Sequence, residues 1–135
     1  MEHSPEPQRL VNARRFFLNF SLLHLDDAAQ LLSPNVVCTV PGQNKLSGVF
    51  HGPHEVRRHL ATLLELSGGT FEVLQWMDWM VGESHITALQ YAQAQRGAKI
   101  YRGFHLYLLE SDSQHLLSDI KVFFADQSAT DRFFA

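Results

Sequence analysis

The stretch KIYRGFHLYLLESDSQHLLSDIKVFFA (Lys99 to Ala125) decides the fold. Two runs rich in aromatic and aliphatic residues flank the polar tripeptide Ser111-Asp112-Ser113, the pattern of two long strands joined by a tight turn. His105 and Asp119 interrupt the apolar runs, so a hairpin of core-forming residues carries an imidazole and a carboxylate. Upstream, TFEVLQWMDWMV (Thr70 to Val81) and SHITALQYAQAQ (Ser84 to Gln95) are strands of the same kind, separated by short turns at Gly82-Glu83 and Arg96-Gly97-Ala98. Turns this short imply an antiparallel meander of four strands.

The first half of the chain has a different period. Leu10, Ala13, Phe16, Phe17, Phe20 and Leu23 recur every three or four residues, which predicts a helix with one buried face. DDAAQLLSP (Asp26 to Pro34) predicts a second, short helix that stops before its proline, and NVVCTVPG (Asn35 to Gly42) a β-branched strand ending in a Pro-Gly turn. HGPHEVRRHLATLLELSGG (His51 to Gly69) reads as a third helix, with Pro53 in its first turn, two glycines beyond its end, and Val56, Leu60, Leu63 and Leu64 toward a core. DQSATDRFFA (Asp126 to Ala135) predicts a closing helical turn that tucks Phe133 and Phe134 against apolar surface. Helices first and an antiparallel sheet afterwards is an α+β arrangement, in which helices cover one face of a curved sheet and leave a pocket between. Gly103, inside a strand, marks a bend or a close approach of ligand.

Composition bounds the function. With 135 residues, 45% hydrophobic and 19% charged, the chain fits one folded domain, residues 1–135, with residues 1–8 as a flexible tail. A net charge of −3 without a basic stripe offers little to phosphates, so no nucleic-acid partner is expected. Cys38 is the only cysteine, which excludes an internal disulfide and fits a reducing compartment. The apolar run FFLNFSLLHL (Phe16 to Leu25) is too short to span a bilayer, and MEHSPEPQ has no leader pattern, so a cytoplasmic location with no membrane contact is expected.

Register follows if each turn sits symmetrically between its strands. Glu110 paired with Gln114 then places His105 opposite Asp119; Arg96 paired with Lys99 places Gln90 opposite His105; Val81 paired with Ser84 places Gln75 opposite Gln90. Gln75, Gln90, His105 and Asp119 would form one polar row across four strands, since opposed side chains share a face about 5 Å apart. Trp79, Tyr101 and Tyr107 fall on the same face, and Trp79 could stack on a flat ligand. The opposite face carries Leu74, Trp76, Leu89, Tyr91, Phe104, Leu106, Ile120 and Val122, enough apolar surface to predict a homodimer through it.

A carboxylate in an apolar pocket is disfavoured by desolvation and favoured by an imidazolium beside it, so an opposed Asp119 and His105 could move protons. Metal binding is not expected: His51, His54 and His59 lack a zinc spacing and fall at the start of a surface helix. Cys38 on an apolar strand reads as packing rather than a nucleophile.

NVVCTVPGQNKLSGVFHGPHEVRRHLATLLELSGGTFEV, followed by DIKVFFADQSATDRFF, resembles the SnoaL-like polyketide cyclases of the nuclear transport factor 2-like superfamily, which also holds the ketosteroid isomerases. The most specific pieces are Val40-Pro41-Gly42, the Leu46, Gly48 and Gly52 pattern, Ser67 to Phe71, and the Asp126 and Phe133-Phe134 ending. The resemblance implies a cone-shaped α+β barrel and cofactor-free chemistry, with Asp119 as acid/base for an intramolecular aldol closure and His105 beside it. Cys38 stands where many relatives have Trp, Lys121 where they have an aromatic, and Phe16 or Phe20 where the isomerases have Tyr; with Gln75, Gln90, Trp79, Tyr101 and Tyr107 these are the expected substrate contacts. The function that follows is a cofactor-free acid/base enzyme that cyclises, isomerises or dehydrates a small carbonyl-rich intermediate. The alternative is a non-catalytic module that binds a small apolar ligand or a protein partner.

Overall fold

A computed structural model describes residues 6–135. Of the expected tail, residues 1–5 lie outside the described residues, while Gln8 already opens the first helix. The elements run α1 (Gln8–Ser21), α2 (Leu25–Ala29), β1 (Leu32–Val40), β2 (Gly48–His51), α3 (Gly52–Leu66), β3 (Glu72–Val81), β4 (Ile86–Arg96), β5 (Lys99–Ser111), β6 (Leu117–Phe124) and α4 (Gln127–Phe133). The strands form one six-stranded sheet in the order β2-β1-β6-β5-β4-β3. All neighbours are antiparallel except β1 and β6. The sheet is open, with β2 and β3 as its edges, and the helices close the cone.

α1 and α3 cover the inner face for the reason their periodicity predicts. Leu10, Ala13, Phe16, Phe17 and Phe20 form the buried stripe of α1, and Val56 and Leu63 are buried on α3. The C-terminal helix is tied to the β1–β2 loop by one carboxylate. Asp131 Oδ1 accepts from the Gln43 amide (3.0 Å), the Asn44 side chain (2.8 Å) and the Gln127 side chain (3.0 Å). Those donors crowd Gly42, whose φ is +95° and where a Cβ would lie 2.1 Å from Gln127 Nε2. Only glycine fits there.

Three expectations about register meet different fates. The β4–β5 hairpin has the expected pairing, Arg96 with Lys99 and Gln90 with His105, without a bulge. In the β3–β4 pair, register shifts on either side of Gln75-Trp76 put Trp76, not Gln75, opposite Gln90, while Gln75 pairs with Tyr91 on the outer face. The β5–β6 connection is longer than a tripeptide turn. Asp112 accepts from the amides of Gln114 and Leu116 through its side chain and donates its own amide to the Leu116 carbonyl, and His115 turns the corner at φ +65°. β5 therefore extends to Ser111, opposite Leu117.

One further residue then decides what faces the cavity. Between the Ser111–Leu117 and Glu110–Asp119 pairs, Ser118 is an extra residue in β6. Were Ser118 paired in step with Glu110, Asp119 would lie opposite Leu109 on the inner face; with Ser118 bulged out of the ladder, Asp119 pairs with Glu110 on the outer face. His105 is opposite Phe124, not Asp119. Ile120, Val122 and Phe124 turn inward and Asp119, Lys121 and Phe123 outward, so Ile120 and Val122, like Trp76, leave the outer row that the turn arithmetic predicts.

Candidate functional site

Between α1, α3 and the concave sheet lies a cavity of about 50 Å³. Phe16, Phe17 and Phe20 come from α1, and Val56, His59, Leu60 and Leu63 from α3. The sheet adds Cys38, Gln90, His105, Tyr107 and the inward row of β6. Among the described residues no Asp, Glu, Lys or Arg lines it. A site of this volume holds a few waters as it stands, so a ligand must displace wall side chains to enter.

Ser21 and His59 come from the helices, and the other polar groups, Gln90, His105 and Tyr107, gather on β4 and β5. Gln90 and His105 are 1% and 3% exposed. Gln90 Nε2 lies 3.2 Å from His105 Nδ1 and 3.4 Å from the Tyr107 hydroxyl. On the other side of the imidazole, Nε2 is 2.7 Å from the Tyr101 hydroxyl, which is 3.0 Å from Thr130 on α4. Tyr101 reaches His105 by lying along its own strand. Tyr101, Gly103 and His105 point to the same face, and a Cβ on Gly103 would stand 2.7 Å from the tyrosine oxygen. The close approach at Gly103 is thus made by Tyr101 rather than by a ligand. Gln90 Oε1 is fully enclosed and has no partner, a state that costs about 1–3 kcal/mol in a protein interior.

Burial sets the charge state. It pulls the His105 pKa from 6.5 down to about 4, because nothing anionic compensates the lost hydration of an imidazolium. His59, whose ring stacks on Phe50 with centroids 4.6 Å apart, is lowered to about 4 for the same reason. Burial first, and Asp119 second, push the Cys38 thiol up to about 12, so the thiol is not a ready nucleophile. Tyr107 is also raised, chiefly by burial. At neutral pH the cavity is a neutral, hydrogen-bonding site.

The sequence-derived residues divide accordingly. Gln90, His105, Tyr107, Cys38, Phe16 and Phe20 line the cavity. Tyr101 stands behind His105, and Trp79 faces inward but packs against Phe17 and Trp76 beneath the Arg14 guanidinium, outside the cavity wall. Gln75, Asp119 and Lys121 are on the outer face. There Asp119 and Lys121 form an ion pair, and His85 Nε2 contacts Glu110 Oε1 at 3.1 Å, which offsets the repulsion of two opposed carboxylates. His59, expected on a surface face, is half-buried and also lines the cavity. Phe17, Thr130 and Phe134 complete the site; the Tyr-x-Gly-x-His spacing was the signal for Tyr101 and its partners. Among the described residues no three His, Cys, Asp or Glu side chains are placed to share a metal ion, and no helix is long and apolar enough to cross a membrane.

No protein-family model matches the chain. The uncharacterized protein Rv0034 of Mycobacterium tuberculosis is 27% identical over 122 residues, 90% of this chain and 92% of that one. Among solved structures, Bal32a from a soil-derived mobile gene cassette has a TM-score of 0.89 at 19% identity, covering 95% of this chain and 97% of that one. TerC, co-crystallized with polyporic acid, has a TM-score of 0.83 at 11% identity, with 95% and 98% covered. An NTF2-like protein of Burkholderia xenovorans has a TM-score of 0.81 at 11% identity, with 95% and 96% covered. At these identities the similarity is one of backbone: the chain has the NTF2-like fold.

Proposed function

We propose that the cavity binds a small, uncharged, largely apolar molecule, with any polar group of the ligand at the Gln90, His105 and Tyr107 end. The observation that carries this is the lining: mostly apolar, without a charged side chain among the described residues, and with Gln90, His105 and Tyr107 together at its β4–β5 end. TerC, with the same fold and co-crystallized with polyporic acid, supports a ligand-holding role for the cone. p-Xylene, which offers shape without hydrogen bonds, is the probe. In an NMR titration it is expected to shift the amides of Phe17, Gln90 and His105 and to leave those of Asp119 and Lys121 unmoved. Shifts confined to the outer face, or none up to the solubility of p-xylene, would defeat the reading.

The second reading is acid/base turnover of a carbonyl-rich intermediate, as the resemblance to SnoaL-like cyclases implies. Asp119 on the outer face cannot reach a substrate in the cavity, so the reading rests on neutral His105 as base. Both ring nitrogens already have protein partners, and Gln90 would have to release Nδ1. The binding reading is the better supported for that reason.

The outer face supports association of two copies. Leu74, Phe104 and Phe123 are 43%, 43% and 48% exposed, and Tyr91 stacks on Phe104 at 4.8 Å. A side-by-side apolar row of this kind is what a two-fold interface buries. Sedimentation equilibrium should show a dimer that Phe104→Lys converts to monomer; a monomeric wild-type chain would end this assignment.

A further inference from the structure

The protons of the polar end can be placed by starting from the one group that can only accept. The Asp126 carbonyl takes the Thr130 hydroxyl proton at 2.9 Å. Thr130 has no other proton to give, so it accepts from Tyr101 at 3.0 Å. With that proton spent, the Tyr101 oxygen accepts at 2.7 Å from His105, which therefore carries its hydrogen on Nε2. A neutral imidazole protonated at Nε2 keeps its lone pair on Nδ1, and the atom 3.2 Å from it must be a donor. That orients the Gln90 amide: one N–H goes to His105 Nδ1 and the other to the Tyr107 oxygen at 3.4 Å. Two valences are left over. Gln90 Oε1 has no donor, and the Tyr107 proton has no acceptor among the described residues.

We propose that the cavity selects a neutral ligand bearing a hydroxyl group, which donates to Gln90 Oε1 and accepts from the Tyr107 hydroxyl. One oxygen atom with one proton satisfies both open valences. A ketone or ether of the same shape can take the tyrosine proton but leaves Gln90 Oε1 buried and unpaired. A phenolate would set its charge against that same oxygen, in a wall with no cation. This inference rests on the binding reading above and goes beyond it by fixing the ligand's polar group and its protonation.

The test compares 4-cresol with 4-methylanisole, two single-ring molecules that differ by a cap on the hydroxyl, by calorimetry at neutral pH. The phenol is expected to bind about tenfold more tightly, the usual size of one buried hydrogen bond made against one left open. Equal affinities would overturn the hydroxyl assignment while leaving the cavity as the binding site. Failure of both compounds and of p-xylene would overturn the site as well. A spectroscopic arm reads the amide orientation without a variant. On binding, 4-nitrophenol should shift its absorbance toward the neutral phenol, whereas growth of the phenolate band would mean that Gln90 presents its N–H groups and would overturn the proposal. Tyr107→Phe should weaken 4-cresol and 4-methylanisole alike, severalfold relative to p-xylene, because both accept the tyrosine proton; undiminished affinity of the two oxygen compounds relative to p-xylene would remove Tyr107 from the assignment.

Discussion

Phe17→Ala is expected to destabilise the protein by about 3–5 kcal/mol, the range for deleting a buried aromatic from a packed core. Phe17 is 6% exposed and is the ring on which the aromatic packing of this end of the cone converges. Its neighbours meet it edge to face: Phe16 at 5.2 Å, Trp76 at 5.1 Å, Trp79 at 5.9 Å and Tyr107 at 4.9 Å between centroids. Tilted rings at these distances contribute beyond the area they bury. They cannot collapse inward together, because three are fixed on strands β3 and β5 or, as Phe16, on the same helix. A residual void is the expected outcome, and it would adjoin the cavity already present. The urea midpoint measures the loss. Phe17→Leu, which keeps most of the volume, should recover more than half of it; equal losses in the two variants would show that packing around this ring is not what stabilises the core.

Acidification should destabilise the fold in a window set by the buried His105 and the half-buried His59. Above pH 6.5 neither the folded nor the unfolded chain protonates His105, and its contribution to stability is complete. Between 6.5 and about 4 only the unfolded chain takes up the proton, so stability falls as pH falls; below about 4 both forms hold it and the loss stops. The full loss from His105 is on the order of 3 kcal/mol, at about 1.4 kcal/mol per decade of proton affinity. His59 acts with the same sign over the same window. Asp112 and Asp131, whose carboxyls are held low by hydrogen bonds, lose their contributions only as pH falls below 3.8, which separates them from the histidine step. Urea midpoints between neutral pH and the middle of that window test this, with His105→Gln expected to flatten the profile by its own share. A flat wild-type profile, or a variant profile with undiminished slope, would contradict a neutral buried imidazole.

How much of this was legible in the sequence differs from hairpin to hairpin. Gln90 opposite His105 could be read because Gly97, at φ +60°, and Ala98 make a two-residue connection and no bulge intervenes. α1 was legible from period and α3 from Pro53 at its start, while the helix expected to run from Asp26 to before Pro34 ends at Ala29, because β1 begins at Leu32. β2 was not, because its four residues, Gly48–His51, start on one glycine and stop before another, with too little alternation to stand out. The remaining errors have one physical origin. Parity in a strand depends on every residue between the turn and the site, and neither the shifts around Gln75-Trp76 nor the extra Ser118 has a compositional mark. Asp112 offered a partial signal, since an Asp that can cap two amides favours a longer loop than the tripeptide suggests. The resemblance to cyclases carried Asp119 into the pocket by position along the chain, and position along the chain does not specify a face.

The extra residue at Ser118 has a consequence for how this protein's lineage can be sorted. Loss of Ser118 would leave the rows as they are, whereas closing the bulge with Ser118 kept would exchange them, turning Asp119 and Lys121 inward and Ile120 and Val122 outward without altering any of those residues. Two descendants could then share every side chain needed for proton transfer while only one displays a carboxylate to its cavity. The pairing of this strand therefore carries more information about chemistry than the identities of its residues. Chains in which the residue at the place of Ser118 pairs in step with its neighbour are the ones that would turn the carboxylate inward.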